Sequence, residues 1–103
     1  MSSKYNEMIG MRRPYFAGRI LMNLSNGFNY KQIIGNVIHN ARVYQSDYIM
    51  FTTDTNSANM ILNQLFKLEI ELEYSSVEGE TLIIIKVNDT LINKAKSSGI
   101  SIF

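Results

Sequence analysis

The clearest pattern in the chain is an alternation. Leu68, Ile70, Leu72 and Tyr74 are separated by Glu69, Glu71 and Glu73, and this period of two predicts a strand with one buried and one wet face. The run Thr81-Leu-Ile-Ile-Ile-Lys-Val87 predicts its return strand, joined by a hairpin loop from Ser75 to Glu80 that contains Glu78-Gly79. Pairing about that loop sets Ile83, Ile85 and Val87 on the buried face with Ile70 and Leu72. It leaves Leu82, Ile84 and Lys86 exposed beside the glutamates. A turn centred on Glu78-Gly79 brings Lys86 opposite Glu71, whereas one centred on Val77-Glu78 brings it opposite Glu69.

Other segments carry helical spacing. Ile33, Ile34, Val37, Ile38 and Ala41 form one stripe over 30–42, with Asn29 as N-cap and Gly35 inside the helix. Tyr48–Thr53 is β-branched and aromatic, a strand. Asp54-Thr-Asn-Ser57 caps a helix that places Ala58, Ile61, Leu62 and Leu65 on one side. Asp89 caps a short helix through Lys96 that Gly99 stops, and Ile100–Phe103 can add an edge strand. Near the start, Pro14 suits a first helical turn, and Ala17, Ile20, Leu21 and Leu24 predict a helix over 14–24 ended by Ser25-Asn-Gly27. The rival reading there is a strand over Arg19–Leu24.

The order α-α-β-α-β-β-α predicts an α+β two-layer sandwich. Its sheet has three or four mainly antiparallel strands, and its helices pack on one face. Residues 1–12 read as a polar arm and 13–103 as a single domain. With the strand reading at 19–24, the order becomes β-α-β-α-β-β, which resembles the Alba-type chromatin and RNA-binding fold in architecture.

Composition narrows the chemistry. The 103 residues contain no cysteine, which excludes a disulfide scaffold, a zinc finger and a thiolate nucleophile. His39 is the single imidazole, so no histidine pair binds a metal, and no Gly-x-Ser-x-Gly elbow accompanies it. No phosphate loop or dinucleotide-binding turn occurs. Gly35 with its neighbours is similar to the turn of RNA-binding KH domains, but Ile38 stands where the second glycine belongs. Glu69, Glu71 and Glu73, spaced at about 6–7 Å on a strand, suit a metal or an acid–base pair, and plain surface alternation explains them equally. The expectation is a module without enzymatic activity, metal or small-molecule cofactor. No apolar run is long enough for a membrane helix and none resembling a signal sequence stands at the start, so a cytoplasmic setting is expected.

Charge adds a functional reading. The net charge is +1, yet residues 1–46 hold Lys4, Arg12, Arg13, Arg19, Lys31 and Arg42 against Glu7 alone. Residues 47–90 are the acidic counterpart, with Lys67 and Lys86 their only cations. In the basic half, cations interleave with Tyr15, Phe16, Phe28, Tyr30 and Tyr44, although Phe16 and Phe28 also suit a core. Guanidinium groups neutralise phosphates and flat rings stack on unpaired bases. Arg12, Arg13, Tyr15, Arg19, Tyr30 and Lys31 are therefore the candidate contacts for RNA or single-stranded DNA. The alternative is a protein-interaction module, an inhibitor, regulator or assembly subunit. It would bind a protein partner or a second copy through Glu69, Glu71, Glu73, Leu82 and Ile84, unless the arm or the last helix covers that face.

Overall fold

A computed structural model of the chain describes residues 14–19 and 30–100. In chain order the elements are β1 (Tyr15–Arg19), α1 (Tyr30–Tyr44), β2 (Tyr48–Asp54), α2 (Thr55–Lys67), β3 (Leu72–Val77), β4 (Glu80–Lys86) and α3 (Asp89–Ser97). The strands form one four-stranded sheet in the order β1-β2-β4-β3, with β1 parallel to β2 and the other pairs antiparallel. The α+β sandwich is the fold, and its sheet is mixed. The arm at 1–12, the cap Asn29 and a strand beyond Ile100 fall outside the described residues, as do Arg12, Arg13 and Phe28.

One face of the sheet makes the core. Ile49 and Phe51 of β2 and Ile83 and Ile85 of β4 are fully buried against Ile34 and Ile38 of α1, Ile61 and Leu65 of α2, and Leu91 and Ala95 of α3. All three helices thus lie on the same side. That is what their apolar stripes demand, because each stripe has only one surface on which to lose water.

The expected helix over 14–24 is a strand where the structure describes it. Tyr15 pairs with Ile49 and Phe16 with Met50, and the register slips before Arg19 meets Thr52. Gly18 lies in that slip at φ +94°, a backbone no helix interior contains. Tyr15 and Phe16 suit a pleated surface, and the parallel partner that recruits them is more than thirty residues away in sequence. With β1 in place the order becomes β-α-β-α-β-β, followed by α3, with the strand lying earlier than the rival reading put it.

The alternation at Leu68–Tyr74 is also only partly a strand. α2 runs to Lys67, and Leu68 continues its stripe three residues after Leu65. Glu69 then closes the helix at φ +54°, its N–H donating to the Phe66 carbonyl at 3.1 Å. The strand starts only at Leu72, so Glu69 leaves the glutamate row. The hairpin loop is tighter than expected. Glu78 and Gly79 alone make the turn, both at positive φ as a type I′ turn requires, and Val77 pairs with Glu80. Lys86 accordingly stands opposite Glu71, its N–H donating to the Glu71 carbonyl and its Nζ 3.6 Å from Oε2.

Caps are local and specific. Asp54 accepts from the Ser57 N–H at 3.0 Å and from its hydroxyl at 2.7 Å. At α3 the cap is Asn88, one residue before the expected Asp89; its side-chain Oδ1 accepts from the Leu91 N–H at 2.9 Å. Gly99, at φ +76°, ends that helix and lets the Ile100 N–H reach the Ala95 carbonyl.

Candidate nucleic-acid interface

The described residues among those expected to contact phosphate and base are distributed over two elements. Tyr15, on the helix side of β1, stacks on Tyr44 with ring centroids 3.9 Å apart and planes 9° from parallel. A hydrogen bond with Tyr44 pushes the Tyr15 hydroxyl pKa upward. Tyr30, at the start of α1, is half-buried against the core. Arg19 extends across the sheet to Glu80, donating from Nε at 3.0 Å and from Nη2 at 2.6 Å to the same carboxylate oxygen. That bond holds the guanidinium pKa above its ordinary value. Lys31 alone of the described candidates stands exposed on a helix surface.

That surface is more basic than the separate candidates suggested. α1 contains no acidic residue, and Lys31, Gly35, His39 and Arg42 recur at i, i+4, i+8 and i+11, one side of the helix turned away from the sheet. Lys31, His39 and Arg42 are all exposed. Beside them, Lys31, Gln32, Gly35, Asn36 and His39 line a cleft of about 350 Å³ whose far wall is Gly99 and Ile100, just after α3. His39 and Arg42 are not among the candidate contacts of the sequence, where each reads singly as surface; their helical spacing from Lys31 groups the three. Phe16, a core candidate in the sequence, is instead 52% exposed on the outer side of β1.

The second candidate set lies largely together on the outer sheet face. Glu73 pairs with Ile84 and Ile84 with Met50, while Leu82 pairs with Thr52. Tyr48 and Ile84, with half-buried Met50 and Leu82, form a small apolar cluster separate from the main core. Ile84, expected to be exposed, is only 9% accessible, and Leu82 is half-buried. The last helix does not cover them, because Leu91 and Ala95 pack on the opposite face. Glu69 sits apart, with the Lys94 ammonium 3.9 Å from its carboxylate and donating to its backbone carbonyl. Among the described residues no three histidine or carboxylate side chains converge as a metal site would need, and no helix is long and apolar enough to cross a membrane.

Comparison with family models, with curated proteins and with solved structures returns no match.

Proposed function

We propose that the chain is a non-enzymatic module that contacts RNA or single-stranded DNA, and that the outward face of α1 makes the contact. The observation that carries this reading is the acid-free stripe of Lys31, His39 and Arg42 beside a cleft lined with side-chain amides. Lys31 and Arg42 supply charge for phosphates, and Gln32 and Asn36 supply donors and acceptors for sugar or base edges. Arg12 and Arg13 add charge by sequence just ahead of β1, and Phe16 offers a ring for stacking. The element order, shared with the Alba-type architecture, points the same way by analogy only. Arg19, Tyr15 and Tyr30 stay candidate contacts, and they meet Glu80, Tyr44 and the core respectively.

Fluorescence anisotropy of labelled single-stranded RNA and DNA, titrated across a salt series, tests the proposal. Binding at about 1–100 µM near physiological salt is expected, weakening as salt rises. Lys31→Glu with Arg42→Glu should cost at least about tenfold in affinity and reduce the log–log salt slope by about 0.7 for each phosphate contact removed. Unchanged affinity in that double variant would sink the assignment to α1, and no binding by the parent chain even at low salt would remove nucleic acid altogether.

A further inference from the structure

Among the described residues the edge of the sheet formed by β3 is unpaired. There β3 bonds only to β4, and its six residues carry a single charge, Glu73, and no proline, lysine or bulge of the kind that keeps such an edge from recruiting another strand. Because the Lys86 N–H reaches the Glu71 carbonyl, Glu71, Glu73, Ser75 and Val77 form the bonded pairs with β4. Leu72, Tyr74 and Ser76 therefore turn their N–H and C=O groups outward. Beside that edge stands an aromatic pair, Phe66 of α2 and Tyr74, with centroids 6.1 Å apart and both about half exposed. A groove of about 640 Å³ follows the strand, lined by Phe66, Leu72, Tyr74, Leu82 and Ile84 together with the polar Glu73 and Ser75.

We infer that β3 pairs antiparallel with β3 of a second copy of this chain, with Tyr74 on the two-fold axis, making one continuous sheet. A two-fold axis that sets two identical strands side by side and antiparallel is perpendicular to the sheet, so all helices stay on one side. The axis must also pass between a residue and its own copy. Three centres are available. At Glu73 two carboxylates face each other, which is unfavourable. At Ser75 the outward groups of Leu72 lose their partners and the aromatic rings separate. At Tyr74, Leu72 meets Ser76 of the second copy, so every outward N–H and C=O of the strand is bonded. Glu73 then faces a serine, and Phe66 and Tyr74 meet their copies in one aromatic cluster. The self-complementarity of this register selects a second copy over an unrelated peptide.

Sedimentation velocity over a concentration series, without nucleic acid, reads the association directly. A species of twice the 11.8 kDa chain mass is expected. Tyr74→Lys, which keeps every bond to β4, should abolish it while leaving the circular dichroism spectrum unchanged. The cysteine-free chain allows a second readout that tolerates weak association. Glu73→Cys with Ser75→Cys places thiols on directly opposed, non-bonded positions across the axis, where mild oxidation should give a covalent dimer. Val77→Cys, far from its own copy in this register, should not cross-link. A parent chain that stays monomeric together with absence of the cross-link overturns the inference. So does a dimer that persists in Tyr74→Lys.

Discussion

Ile83 and Ile84 are neighbours on one strand, identical in type, and they belong to different structures. Ile83 is fully buried under helices, among Phe51, Ile61 and Leu65; Ile84 points the other way, into a cluster that among the described residues consists of four side chains from β2 and β4. The covered face is closed by rigid elements on both sides, whereas the outer face is closed by its own neighbours, with charged pairs such as Arg19–Glu80 and Lys86–Glu71 at the rim. The two faces of the sheet therefore differ in how far they can relax when an atom is removed.

The largest test of this contrast is a pair of truncations. Ile83→Ala should lower unfolding free energy by about 2–5 kcal/mol, because helices on one side and strands on the other prevent the cavity from collapsing. Ile84→Ala should cost no more than about half as much, since the outer cluster can close over the gap. Equal losses in urea unfolding would erase the distinction between the faces.

A second substitution should go the other way. On the covered face, the Thr81 hydroxyl is hydrogen-bonded to Ser76 at 2.7 Å and to Thr55 at 3.3 Å. Thr53, cross-strand from Thr81 and fully buried, holds a hydroxyl with no partner among the described residues. Thr53→Val removes that group at nearly constant volume and should raise stability by about 1 kcal/mol, read as a higher urea midpoint with an unchanged slope.

The smallest effect is expected at the junction between the layers. Two hydrogen bonds from Ser57 hold the Asp54 carboxyl below the ordinary carboxylate range. Its folded pKa is lower than its unfolded one, so the cap stabilises fully above the ordinary aspartate value and is lost as pH falls through the folded value. Asp54→Asn keeps the acceptor and should flatten the fall in thermal midpoint below about pH 4. An unaltered acid limb would assign that fall to other carboxylates.

Much of this was legible in the residues. The stripes on α1 and α2, the strand at Tyr48, the cap Asp54 and the pairing of Lys86 with Glu71 all follow from local spacing, because a helix or hairpin makes most of its contacts within a few residues. Of the candidate contacts, Lys31 could be placed on a helix surface from its spacing to the apolar stripe. Others could not be placed. That Arg19 meets Glu80, and that Tyr15 stacks on Tyr44, depends on which strands become neighbours.

By itself, then, the sequence determined the class of fold, the three described helices and the hairpin, through periodicity and capping that act over short distances. Tertiary structure decided the rest. Tyr15–Arg19 became a strand because β2 offered an edge to pair with, overriding a weak helical spacing that ran across Gly18. Leu68 went to the end of a helix although it fits a period of two, because the core had a place for it next to Leu65 and its neighbours. Ile84 lost its exposure to Tyr48 and Met50 of β2 as well as to Leu82 two residues away, and local spacing does not announce the β2 contacts. For Tyr15–Arg19 and Ile84 a long-range partner outweighed a local preference worth only a few tenths of a kcal/mol to about 1 kcal/mol per residue, and sequence spacing carries no record of long-range partners; at Leu68 the helical spacing from Leu65 prevailed over the period of two.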